Sequence, residues 1–138
     1  MSTSILWFKK DLRIFDHKPF LEASKNALVL PLYIFEPEIL ESEDYDPRHH
    51  KFINESLKSL KIELEKIGGY IHVEHGSALE VFQKLSSQTS NQIRIFSHEE
   101  TGNWISYQRD IHLKKWCKKN TIDWVEFPQH GVQRPIKN

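Results

Sequence analysis

Five charged side chains, Lys9, Lys10, Asp11, Arg13 and Asp16, crowd into the stretch LWFKKDLRIFDH (Leu6 to His17), just past an apolar run. A guanidinium is a planar fork that grips a carboxylate or phosphate through two parallel hydrogen bonds, whereas the lysines act as point charges. Two readings stand side by side. Lys9, Lys10 and Arg13 contact an anionic ligand by side chain, or Asp11 and Arg13 pair with each other or with neighbours and simply order the loop.

A second polar stretch, SHEETGNW (Ser97 to Trp104), places Glu99 and Glu100 just before a helix. Carboxylates there answer the helix dipole. They also suit the N–H edge of a heterocycle, because a charged acceptor makes the stronger bond. Other chemistry is thinly supported. His72 and His75 stand at a strand end and His49 and His50 are adjacent, so neither pair has helical HExxH or zinc-finger spacing. These histidines read as surface residues. Cys117, the single cysteine, lies on a helix beside Trp116 and reads as a small core residue. No Ser/His/Asp set follows from spacing alone.

The elements that must hold these residues follow from periodicity. Ser4 to Phe8 is a short buried strand. Asp16 is placed to cap a helix from Lys18 to about Ser24, with Pro19 in its first turn. Leu28 to Phe35 is a second buried strand, interrupted by Pro31. Asp46-Pro47 opens a long helix, whose Ile53, Leu57, Leu60, Leu64 and Ile67 step by four and three and form one stripe. Gly68-Gly69 ends it. Tyr70 to Glu74 is a third strand. Ser77 and Glu80 form a capping box for a helix to about Leu85. After a polar loop, Ile93 to Phe96 is a fourth strand. Thr101 or Asn103 opens a further helix that ends near Asn120, and Ile122 to Phe127 is a fifth strand.

Strands and helices alternate, so right-handed crossovers predict an α/β fold: a doubly wound, five-stranded parallel sheet, Rossmann-like, with helices on both faces. The expected order is 3-2-1-4-5, and its switch point lies between strands one and four. The loops there are Lys9 to Asp16 and Ser97 to Asn103. The charged stretches therefore meet at the sheet's default ligand crevice. That crevice is not an ordinary phosphate cradle: no glycine occurs between Met1 and Gly68, and neither a G-x-G-x-x-G nor a P-loop is present.

The totals bound the function. With 138 residues the chain makes one domain, predicted over 1–127, and the non-periodic 128–138 reads as the start of a linker. Lys+Arg and Asp+Glu are 19 each, which argues against strong autonomous nucleic-acid binding but leaves room for a basic patch on one face. One cysteine suits a reducing compartment. The short apolar start has no signal-peptide pattern and no run is long enough to span a membrane. The expected location is cytoplasmic, with no membrane partner.

LWFKKDLRIFDHKPFLEA (Leu6 to Ala23) resembles the opening of the photolyase/cryptochrome family. PLYIFEP, RHHKFINESLKSLKIELEKIG, VEHGSALEVFQKL, SHEETGNWISYQRDIHLKKWC and VEFPQHGVQRP continue the likeness in order along the chain, the later stretches resembling a bacterial branch. His17 stands where many members have Asn. The resemblance implies an N-terminal α/β domain, whose parent either repairs UV-induced pyrimidine dimers by light-driven electron transfer from reduced FAD or senses blue light. It further implies that FAD and the lesion pocket belong to a C-terminal domain on which this one docks. No FAD is expected to be tightly bound here and no repair activity is expected of this chain alone; damaged DNA is met through the parent. By the same resemblance an antenna chromophore, a folate, a deazaflavin or a flavin, sits between the loops after strands one, two and four. Arg13, Phe35, Glu99 and Glu100 are the residues expected to hold it, with no metal and no catalytic set. The rival expectations are an unrelated nucleotide-binding module and a free-standing α/β interaction domain.

Overall fold

The computed structural model describes residues 2–25, 28–42, 47–100 and 104–128. Five strands, β1 (Ser2–Phe8), β2 (Val29–Phe35), β3 (His72–His75), β4 (Gln92–His98) and β5 (Asp123–Phe127), pair in parallel in the order β3-β2-β1-β4-β5. The helices between them are α1 (Lys18–Ala23), α2 (Pro37–Ser42), α3 (Pro47–Lys66), α4 (Ala78–Gln88) and α5 (Trp104–Lys119). This is the doubly wound α/β fold expected from the crossovers.

The central strand explains the layering. Side chains alternate across a strand, so Ile5 and Trp7 of β1 face one way and Leu6 and Phe8 the other, all four fully buried. Ile5 and Trp7 join Ala78, Phe82, Leu113 and Cys117 beneath α4 and α5. Leu6 and Phe8 join Ala23, Leu60 and Leu64 beneath α1 and α3. Burial on both sheet faces is why β1 reads as a continuous apolar run rather than an alternating one. Pro31 is tolerated because the β2–β3 register begins only at Leu32, beyond the residue that lacks a donor.

Several local expectations are corrected. His17, not Asp16, caps α1: its Nδ1 accepts the Phe20 N–H at 3.0 Å, while Asp16 takes a left-handed φ of 50°. The first helix ends at Ala23. A further short helix, α2, follows β2, because Pro37 at its start supplies a ready-made helical φ. The third strand is shifted to His72–His75, since it pairs only where Leu32 to Phe35 of β2 are available. In the long helix Leu60 and Leu64 are buried, but Ile67, one residue past the helical end, is exposed. Gly68, at φ 85°, makes the left-handed turn that closes this helix. Ser77 caps α4 by accepting the Glu80 N–H at 3.2 Å. Asp46, Thr101, Asn103 and the tail from 129 lie outside the described residues, as do the side chains of His49 and His50.

Candidate functional site: a charged crevice at the switch point

The chain reverses direction across the sheet between β1 and β4, so the loops after these strands diverge and leave a crevice. Lys9 directly follows β1, Glu36 directly follows β2, Glu100 lies two residues past β4, and α5 delivers Arg109. Together with Trp7 and Tyr33 they line a cavity of about 60 Å³. Arg109 is the hub. It donates to Glu36 at 2.6 Å, to Glu100 through a short contact, and to Asp110 at 3.0 Å. Its guanidinium also lies 5.0 Å from the Trp7 ring centroid. Lys9 Nζ donates to the His98 carbonyl at 3.2 Å, stands 3.9 Å from Glu100 and lies 4.4 Å from the same ring.

Three carboxylates and two cations are thus gathered in a desolvated space. Burial works against every charge there. It pushes Glu36 up to about 7, helped by the nearby Glu100 and opposed by Arg109. It lowers Lys9 and raises Asp110. Burial also acts to lower Arg109, but the fields of Glu36, Glu100 and Asp110 outweigh it and keep the guanidinium charged. The crevice therefore offers carboxylate acceptors beside an aromatic wall, one of them held near its titration point at neutral pH.

Below the crevice lies a second cluster. The Asp11 carboxylate accepts from the Lys9 N–H at 2.7 Å, His17 Nε2 at 2.6 Å and His98 Nδ1 at 2.6 Å, all buried. Burial would raise the Asp11 carboxyl, but the hydrogen bonds from the two histidines, the His17 field and the Lys9 N–H hold it well below the usual carboxylate range. The three side chains place possible metal-ligand atoms within 4.8 Å of one another. Their chemistry nevertheless fits hydrogen bonding better than coordination. Because His17 Nδ1 accepts the Phe20 N–H, its proton is on Nε2, which then has no lone pair for a metal. The cluster ties the β1 loop, the α1 cap and the end of β4 into one unit.

The four residues singled out from the sequence are not gathered in one place. Glu100 lines the cavity; Arg13, Phe35 and Glu99 do not. Arg13 donates to the Asp16 carbonyl at 3.2 Å and steadies that left-handed turn. The Phe35 ring stacks on His75, with centroids 5.0 Å apart, and meets Tyr33 edge-on. The Glu99 N–H donates to the Phe127 carbonyl at 2.7 Å. Glu36 and Arg109 were missed. Glu36 immediately follows the second strand, which is a readable signal, but Arg109 sits mid-helix with none. The pairing of His17 and His98 with Asp11 was missed as well; both histidines are buried. His72 hydrogen-bonds Glu74 at 2.7 Å and joins no metal-ligand group among the described residues.

The chain is thus a doubly wound α/β domain with a charged, aromatic-walled crevice at its switch point. Residues 4–137 match the family model for DNA photolyase, and the chain belongs to that family. It is 30% identical over 139 residues to cryptochrome-1 of Aedes aegypti, covering 96% of this chain and 25% of that protein. It is 32% identical over 132 residues to cryptochrome DASH of Xenopus laevis, covering 89% of this chain and 25% of the relative. The fold superimposes with a TM-score of 0.84, at 25% identity, on an archaeal photolyase from Sulfolobus tokodaii, described with two FAD molecules and a novel light-harvesting cofactor; the match covers 100% of this chain and 32% of that one. The chain thus spans about a quarter of the length of these curated relatives. With the Glu36 and Arg109 side chains where they stand, the residues described here leave no room for the family's FAD. The crevice cavity is about 60 Å³, against the 300–1,000 Å³ of ordinary ligand pockets, and no glycine loop after β1 offers N–H groups to a pyrophosphate. No described helix is long and apolar enough to cross a membrane.

Proposed function

We propose that this chain is the N-terminal α/β domain of a photolyase or cryptochrome, located in the cytoplasm, with 1–127 as the domain and the tail from 128 leading to a C-terminal FAD domain. The parent either repairs UV-induced pyrimidine dimers by light-driven electron transfer or senses blue light, and it is the parent that meets damaged DNA. Phe15 and Leu21, 74% and 61% exposed beside the β1 loop and α1, supply apolar surface for docking the FAD domain.

The domain's own role is to hold an antenna chromophore, a folate, deazaflavin or flavin, in the crevice between the ends of β1, β2 and β4. The observation that carries this reading is the set of buried carboxylates, Glu36 and Glu100, held by Arg109 beside Trp7 and Tyr33. A ring lying along the aromatic wall would present its N–H edge to a carboxylate. Glu36, Ile39 and Arg109 also line an adjoining cleft of about 430 Å³, so displacement of the Glu36 and Arg109 side chains would join the two spaces and give room for a ring. Arg13 orders the loop that forms the rim.

The test is a titration with folate, deazaflavin and flavin candidates, comparing wild type with Glu36→Gln, Glu99→Gln and Glu100→Gln. Loss of affinity in the Glu36 or Glu100 variant supports the crevice reading, and an unchanged Glu99 variant is expected. Unchanged binding in all three variants would leave the acidic loop as a helix cap only.

A further inference from the structure

Helix α5 carries a feature that the crevice does not use. At 100° per residue, its buried side is centred on Ser106, Leu113 and Cys117. The opposite side presents Trp104, Tyr107, Lys115, Lys118 and Lys119, all exposed. Trp104 is 66% and Tyr107 58% exposed, their ring centroids 5.8 Å apart. Lysines in a last turn complement the helix dipole, which accounts for Lys118 and Lys119 but not for two large rings left in water at the other end. The only acid of α5 is Asp110, and it is paired with Arg109. Lys114, on the flank, is paired with Glu126 at 3.1 Å. Among the described residues, Lys115, Lys118 and Lys119 have no carboxylate within salt-bridge reach. A chain of zero net charge therefore carries a local cationic patch, Lys115 to Lys119, about 6 Å long at 1.5 Å per residue, with an aromatic pair about 12 Å nearer the helix start.

We propose that the outer face of α5 is a docking surface for single-stranded nucleic acid, with phosphates on Lys115, Lys118 and Lys119 and bases stacked on Trp104 and Tyr107. The chemistry selects this partner. A single strand offers both the polyanion and unpaired ring faces, and stacking on aromatic side chains tolerates any sequence. An anionic membrane would need a continuous apolar face to insert, whereas beyond the two rings this face holds only the half-buried Ile111 as an apolar residue. The face lies across the sheet from α1, so it is separate from the docking surface assigned above, and it does not depend on the antenna reading.

The experiment is fluorescence anisotropy of a labelled, mixed-sequence single-stranded oligonucleotide with the chain, from about 50 to 200 mM salt. Micromolar binding at the low end, falling steeply with salt, is expected. A Lys115→Gln/Lys118→Gln/Lys119→Gln variant should lose about 2 from the log–log salt slope, at ~0.7 per phosphate contact on a single strand. The corresponding triple Arg variant should keep the slope. Trp104→Ala and Tyr107→Ala should each weaken binding by about tenfold at every salt, within the range measured for base stacking. All five positions are exposed, so circular dichroism and melting should match wild type. Four outcomes would overturn the proposal: no binding at low salt, a wild-type slope in the Gln triple, wild-type affinity in both aromatic variants, or aromatic variants that change self-association in sedimentation while leaving nucleic-acid binding intact. The last would assign the rings to a protein partner.

Discussion

Replacing Asp11 by Asn tests the buried cluster beneath the crevice most directly. The carboxylate accepts three hydrogen bonds, from the Lys9 N–H, His17 Nε2 and His98 Nδ1. An amide offers one acceptor oxygen and one donor group. If its oxygen takes the place between the histidines, its NH2 confronts the Lys9 N–H. If it is flipped, the NH2 confronts both rings. His98 can then move its proton to the other ring nitrogen, but His17 cannot, because its Nδ1 already accepts the Phe20 N–H. Every arrangement leaves at least one buried donor facing a donor, at about 1–3 kcal/mol. The remaining bonds lose their charge assistance, roughly half their strength. A total near 3 kcal/mol is expected, a large share of the ~5–15 kcal/mol that stabilises a domain, and it should lower Tm by about 10 °C. The pH dependence gives an independent check. The Asp11 carboxyl is held below its unfolded value, so its contribution is fully present above about pH 4 and is lost as pH falls further. Urea unfolding followed by tryptophan fluorescence should therefore show a gap between wild type and Asp11→Asn that is constant from pH 7 to about 5 and narrows on acidification, by up to ~1.4 kcal/mol per pH unit. A cost under about 1 kcal/mol at pH 7, or a gap that stays constant down to pH 3, would refute this account of the cluster.

Other outcomes follow from the same geometry. Glu36 is raised to about 7 by burial, so its contribution to stability is present below the usual carboxylate range and is lost as pH rises through 7. Glu36→Gln should flatten that fall, by ~3 kcal/mol at most, in denaturant titrations between pH 5 and 8. His17→Ala removes both the α1 cap and a donor to Asp11 and should cost ~2–3 kcal/mol. His17→Asn should recover about 1 kcal/mol of this by restoring the cap, measured by thermal melting. Ser77→Ala should cost about 1 kcal/mol through the lost cap of α4, measured by thermal melting.

Much of the architecture is determined locally and can be read from the chain. Ser4 to Phe8 and Leu28 to Phe35 are apolar enough to be buried on both faces, and the four-three stepping of Ile53 to Leu64 can belong only to a helix. Alternation of such segments, combined with right-handed crossovers, points to a doubly wound parallel sheet; the expected order 3-2-1-4-5 is the one observed, and it brings Lys9 and Glu100 to the same edge. Capping was less legible. Asp16 and His17 are neighbours with comparable side-chain acceptors, and which one caps α1 depends on the left-handed turn at Asp16 that Arg13 steadies. The make-up of the site was decided only in three dimensions. Arg109 meets Glu36 across 73 positions of sequence, and His98 meets Asp11 across 87. No periodicity links residues so far apart, because periodicity records which face of an element is buried and not which charge waits opposite. Those partners are chosen when strands from distant parts of the chain become neighbours, and in the dry space between them a carboxylate must find a donor.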